Sequence, residues 1–258
     1  MGLRDRSGLA SAKRVVVKVG SSSISGANEG KIEQLVDALA AAHGRGVEVI
    51  LVSSGAIATG LPLLNLETKP DDLATQQALA SVGQSRLISR YQNSLERYGI
   101  VAGQVLLTSG DMEVEETRLN AKRAMDKLVS LRVLPIVNEN DTVATAEIRF
   151  GDNDRLAALV AILVEADALV LLSDVDALYD MPPTKPEAKR IDVVAFGQDM
   201  SAIEVGGSSS AVGTGGAVTK VGAAKLATES GVSVLLTSTD NVALALQGAS
   251  VGTWFESE

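Results

Sequence analysis

At 258 residues the chain is long enough to bury a large core in one domain or two close lobes, and its 46% hydrophobic content excludes a mostly disordered polymer. Aromatic residues make up only 3%, so the core is built from Val, Leu, Ile and Ala, as suits buried parallel strands covered by helices. A net charge of −9 argues against general nucleic-acid binding, and a chain with no cysteine and one histidine, His43, has no disulfide or thiolate chemistry and almost no material for a histidine zinc site or a Ser-His-Asp triad.

Residues 1–13 read as a loose polar leader without the apolar segment of a signal peptide. Residues 15–19 form a short apolar strand that carries Lys18, and Gly20-Ser21-Ser22-Ser23 follows at once as a tight small-residue loop. Ile32, Leu35, Val36, Leu39 and Ala40 give 31–43 helical spacing, stopped by Gly44 and Gly46. A second strand, 47–52, runs into Ser53-Ser54-Gly55-Ala56. Residues 73–97 read as helix with a break near Gly83. Strand 103–107 and helix 117–130 come next, then strand 133–137, which ends in Asn138-Glu139-Asn140-Asp141. Pro135 speaks against a central place for that strand. Residues 142–150 read as a short excursion or hairpin before Gly151-Asp152-Asn153-Asp154. Helix 156–165 and strand 168–172 follow, the strand ending in Ser173-Asp174. The stretches 181–190 and 206–216 are loop-like. Helix 218–229, strand 232–236, a short helix from Asn241 and a strand near 253–255 complete the chain. The run 156–172 is the nearest thing to a membrane span, and Arg155, Glu165 and Asp167 interrupt it. The expectation is a cytoplasmic protein with no membrane or nucleic-acid partner.

Strand and helix alternate, which predicts an α/β fold: one domain over 1–258, a three-layer α/β/α sandwich with a central, mostly parallel sheet. Polar clusters stand at the C-terminal ends of four strands, at 20–23, 53–56, 138–141 and 173–174. Strand ends always meet polar loops, but in open α/β sheets this edge is also where ligands bind. Lys18 sits inside an apolar strand. Either it faces water on an edge strand, or its ammonium group reaches a phosphate from the strand tip, helped by Gly20 and the serine hydroxyls after it. Gly213, Thr214, Gly215 and Gly216 precede Lys220 at a helix start, where free N–H groups favour anions. A flexible surface loop is the plainer alternative. Asp152, Asn153 and Asp154 precede an apolar helix, where any one of them serves as an N-cap or as a ligand-holding group. The Walker A and Rossmann patterns are missing.

The segments VVVKVGSSS (15–23), VSSGAIATG (52–60), ALASVGQSRL (78–87), GQVLLT (103–108), PIVNENDTVATAEIRFGDND (135–154) and VGTGGAVTK (212–220) resemble the glutamate 5-kinases, or gamma-glutamyl kinases, of the amino-acid kinase superfamily. The resemblance spans essentially the whole chain, and 135–154 is its most specific part. It implies an amino-acid kinase-like fold and ATP-dependent phosphorylation of the glutamate side-chain carboxylate, the first step of proline biosynthesis, with Mg2+ as cofactor. It implies that Lys18 and Lys220 contact the phosphates while Asp154 organises them. Gly20, Ser21, Ser173, Asp174, Gly213, Thr214, Gly215 and Gly216 would hold the nucleotide. Ser54, Gly55, Ala56, Asn138, Asp141, Asp152 and Asn153 would hold glutamate, so that the N-terminal part serves mainly the amino acid and the C-terminal part mainly ATP. Feedback inhibition by proline, a homodimer or homotetramer, and coupling to glutamyl-phosphate reductase are implied as well; direct metal ligands are not. Three departures stand out: no C-terminal PUA-type domain is expected within residues 1–258, Ala217 stands where the family often has methionine, and Ser109-Gly110 replaces an Arg-containing stretch. An N-acetylglutamate or carbamate kinase relative, and a nonenzymatic sensor of proline or glutamate on the same fold, are the rival readings.

Overall fold

The computed structural model describes residues 2–28, 30–143, 153–181, 184–200 and 216–258. Five parallel strands come from the expected apolar runs: β1 (Arg14–Lys18), β2 (Glu48–Val52), β4 (Leu134–Glu139), β5 (Ala168–Ser173) and β9 (Ser233–Ser238). β3 (Ala102–Leu107) adds an outer parallel strand, while β8 (Val193–Val194) and β10 (Thr253–Phe255) close the other side. The order is β3-β4-β2-β1-β5-β9-β10-β8, with β10 antiparallel to β9. A small antiparallel pair, β6 (Leu178–Tyr179) and β7 (Arg190–Ile191), stands apart.

Alternation along the strands sorts their side chains between two helical layers. Val15, Val17 and Val19 face one layer with α1 (Lys31–Gly44), α3 (Leu73–Glu96) and α8 (Val242–Ala245). Val16, Ile50, Leu169 and Leu171 face the other, with α5 (Glu115–Ser130), α6 (Asn153–Leu163) and α7 (Ala217–Thr228). The expected sandwich is thus formed, with aliphatic cores on both faces of the sheet. No described helix is long and apolar enough to cross a membrane.

Three expectations need correction. The leader is docked: residues Arg6–Ser11 form a 3-10 helix capped by Asp5, with Leu9 buried. Arg6 reaches across to the carbonyls of Val251, Gly252 and Asp192. Second, α3 runs unbroken through Gly83. That glycine marks a contact: a Cβ there would lie 1.8 Å from the Ala56 carbonyl oxygen of α2 (Ala56–Leu63), so the two helices cross at backbone distance. Third, β4 lies between β3 and β2 despite Pro135. Leu134 N–H points to β3, so alternation turns the proline nitrogen toward β2, whose pairing with β4 begins only at Ile136. The missing donor therefore falls outside that ladder. Helix α4 (Ser109–Glu113) was not anticipated; the Thr108–Asp111 capping box starts it. The expected excursion over 142–150 lies almost wholly outside the described residues.

Candidate active site

The parallel strands end along one edge, and the candidate residues gather there. Within β1, Lys18 faces the α6/α7 layer and is only 4% exposed. It is not an edge-strand lysine, because β2 and β5 flank it on either side. Asp154, in the first turn of α6, is completely buried; Lys220, in the first turn of α7, is nearly so. Lys18 Nζ lies 2.5 Å from Asp154 Oδ1, and Lys220 Nζ lies 3.0 Å from Oδ2. The Thr219 hydroxyl is 3.1 Å from that same Oδ2 and 2.8 Å from the Gly216 carbonyl, sharing its one proton between them. Burial opposes ionisation of Asp154, but the Lys18 and Lys220 charges with their hydrogen bonds outweigh it and hold the carboxyl at about 2. Asp154 is therefore an anion with both oxygens engaged. It can orient two ammonium groups and is poorly suited to taking a proton.

Around this centre the loops converge. Gly20 caps the turn Ser21–Ser23 beside Lys18, whose Nζ would be 3.8 Å from a Cβ on that glycine. Gly55 has φ +100°, a left-handed conformation that turns the chain directly from β2 into α2. A Cβ on Gly55 would meet the Ser21 Cβ at 3.3 Å, so the 20–23 and 53–56 clusters are in contact. Ser173 donates to Asp174 at 3.0 Å at the end of β5. Its register partner at the end of β9 is Ser238, on the same sheet face as Lys18. Gly216 caps α7.

On the α3 side a chain of amides links the remaining candidates. Asn153 donates to the Ser53 carbonyl at 2.7 Å and to Asn138 Oδ1 at 2.8 Å. Asn138 Oδ1 also accepts from Glu139 N–H at 2.9 Å, and Asn138 Nδ2 donates to Gln84 Oε1 at 2.6 Å. The buried Ser53 and Tyr91 hydroxyls are 2.9 Å apart, which ties β2 to α3. Ser54 and Ala56 flank Gly55, and Asp141 lies in the turn after β4, two residues past Glu139. Asp152, Gly213, Thr214 and Gly215 lie outside the described residues.

Gln84, Tyr91, Thr219 and Ser238 join these groups without being singled out by a sequence motif. Thr219 could have been found by its place beside Lys220. Gln84 and Tyr91 read only as polar and aromatic positions of a long helix.

Two buried lysines are held by one carboxylate at the C-terminal edge of a parallel sheet with helices on both faces, an arrangement suited to offsetting negative charge on a ligand. The sequence profile of the amino acid kinase family matches residues 13–238. A glutamate 5-kinase of Clavibacter sepedonicus is 69% identical, covering 99% of this chain and 98% of the relative. One from Leifsonia xyli is 65% identical over 99% and 95%. One from Streptomyces avermitilis is 55% identical over 97% of this chain and 68% of its own length. Among solved structures, carbamate kinase from Giardia lamblia bound to AMP-PNP superposes with a TM-score of 0.69 at 16% identity, covering 96% of this chain and all of that one. Uridylate kinase from Archaeoglobus fulgidus gives 0.61, also at 16% identity, over 93% and 99%. The chain belongs to the amino acid kinase family and, within it, to the glutamate 5-kinases.

Proposed function

We propose that the protein transfers the γ-phosphoryl group of ATP to the side-chain carboxylate of L-glutamate, giving L-glutamyl 5-phosphate and ADP, the first step of proline synthesis from glutamate. The observation that carries this reading is the buried Lys18–Asp154–Lys220 cluster at the ligand-binding edge of the sheet. A carboxylate acceptor is already ionised and needs no general base. The obstacle is the approach of two anions and the charge on the transferring group, which fixed ammonium groups offset. Lys18 and Lys220 meet that charge from two elements, and Asp154 keeps them from diverging.

Gly20, Ser21, Ser173, Asp174 and the segment 213–216 hold the nucleotide in this reading. Ser54, Gly55, Ala56, Asn138, Asp141, Asp152 and Asn153 hold glutamate. Among the described residues no three His, Cys, Asp or Glu side chains form a metal cage. A Mg2+ would enter on the ATP phosphates in this reading and would offset their charge, leaving Lys18 and Lys220 to meet the transferring group. Proline binding over the glutamate site, a cytoplasmic location, functional coupling to glutamyl-phosphate reductase, and a homodimer or homotetramer belong to the same proposal. Leu63, Leu64 and Leu66, at and just beyond the end of α2, are exposed and are consistent with self-association. Light scattering at assay concentration checks it.

The test is ADP release with Mg2+ and ATP on glutamate, N-acetylglutamate, carbamate and aspartate, with hydroxylamine present to trap an acyl phosphate as its hydroxamate. Glutamate-dependent hydroxamate is the expected result. Release with carbamate or N-acetylglutamate alone would replace glutamate as the substrate, and ligand binding without release would leave a sensor.

A further inference from the structure

We infer that Gln84, with Asn138, binds the α-carboxylate of the acceptor amino acid, and that Asn153 Oδ1 faces its ammonium group. This rests on the reading of the protein as a glutamate-phosphorylating enzyme and assigns the polarity of its acceptor site.

Two backbone groups of fixed polarity anchor the amide chain. Glu139 N–H can only donate, so the Asn138 atom 2.9 Å from it is the oxygen. The Ser53 carbonyl can only accept, so the Asn153 atom 2.7 Å from it is the nitrogen. Asn153 Nδ2 spends its second hydrogen on Asn138 Oδ1, which thereby has both lone pairs occupied. Asn138 must then turn its nitrogen to α3, and it does: Nδ2 donates to Gln84 Oε1 at 2.6 Å. Gln84 is thus compelled to show its oxygen to Asn138 and to hold its NH2 group away from it.

What remains for a ligand follows by subtraction. Among the described residues, Asn138 has one N–H left and Gln84 has two, which suits a carboxylate, and Asn153 has only Oδ1 left, which suits an ammonium group. Neutral donors next to a neutral acceptor match a zwitterionic α-amino-acid end.

Sheet geometry says which end that is. Asn138 and Gln84 lie on the α3 side, whereas Lys18, Asp154 and Lys220 lie on the α6/α7 side. The reacting carboxylate must face the lysines, so the amides receive the far end. Gln84 is also placed to reach it, because the preceding residue, Gly83, packs against the Ala56 carbonyl beside the 54–56 loop.

The experiment compares L-glutamate with its α-amide, isoglutamine, in the wild type and in Gln84→Glu. The substitution keeps an oxygen for Asn138 and replaces the outward donor by an anionic acceptor. Glutamate KM should rise roughly tenfold to a hundredfold, the scale of a lost hydrogen bond to a charged group. ATP KM and the melting midpoint should hold. The ratio of kcat/KM for glutamate over isoglutamine should fall by at least about tenfold, because the α-amide can donate to the new carboxylate. A purely structural role for Gln84 would leave that ratio unmoved. An unchanged ratio in folded protein overturns the inference, as does a change confined to ATP. If Gln84→Glu does not fold, Gln84→Met, which removes the donors at similar length, is read for the same fall in ratio. A wild type that forms no hydroxamate from glutamate removes the functional reading and this one together.

Discussion

Asp154 has both oxygens committed to separate lysines, so removing its charge should injure the protein twice. In Asp154→Asn two buried ammonium groups face each other without an anion between them, and breaking such a cluster costs about 3–5 kcal/mol. We expect a large drop in melting temperature together with loss of turnover. Adding Lys220→Met to that background should recover much of the stability and none of the activity, which separates folding from chemistry. The pH dependence follows from the same charge. Asp154 is held at about 2 against an ordinary value of 3.8, so its contribution to stability is complete above about pH 4 and disappears as pH falls through about 2. Asp154→Asn should lose this acid-side dependence in melting scans. Lys220→Ala should lower kcat by roughly 10²–10³ and raise glutamate KM far less, because in the proposed reaction its charge would act on the transferring group. Near-normal kcat in a folded variant would reject that assignment.

At the scale of elements, the crossing of α2 and α3 supports the proposed acceptor site. Gly83→Ala would drive a Cβ to 1.8 Å from the Ala56 carbonyl, and backbone cannot yield as a side chain can. The helices must part, moving the 54–56 loop, so both a lower melting temperature and a higher glutamate KM are expected. Gly222→Ala is the contrasting case. It is an exposed residue inside α7, and a methyl group there would meet nothing within 4 Å, so the change should stabilise by about 0.5–1 kcal/mol without altering kinetics. These helices also show where sequence reading stops. β1, β2, β5 and α1 are legible because continuous apolar runs and the 32-35-36-39 spacing leave little choice of element. α2 is not: it is short, almost uniformly apolar and contains Pro62. Gly83 looks like a helix breaker because propensity is local, whereas the reason for it is a neighbouring helix. In the site, Lys18 draws notice as a charge in an apolar strand, but the partnership of residues 18, 154 and 220 is a long-range fact that spacing does not contain. The amide chain is hidden more deeply, since the ligand-facing atoms of Gln84, Asn138 and Asn153 depend on which hydrogen bonds their neighbours have already taken.

Across the whole molecule, the N-terminal segment holds the far side of the sheet. Arg6 donates to the carbonyls of Val251, Gly252 and Asp192, which flank β10 and β8. Arg6→Ala leaves those acceptors to water and should cost about 1–2 kcal/mol, seen as a fall of a few degrees in melting temperature. Turnover per folded molecule should hold within about twofold, because the proposed site is built from β1, β2, β4, β5, α3, α6 and α7. The same segment brings residue 2 against Ser257, while Ser233, the first residue of β9, donates to the Leu3 carbonyl at 2.9 Å and lies 3.1 Å from the Ser257 hydroxyl. The polypeptide therefore traces a nearly closed circuit, with its junction at the sheet edge opposite the lysines. A circuit has no intrinsic starting point. A gene that joins the two ends through a few glycines and opens the chain in the exposed stretch 65–69 should encode the same architecture and retain glutamate-dependent ADP release, with order of synthesis changed and contacts preserved.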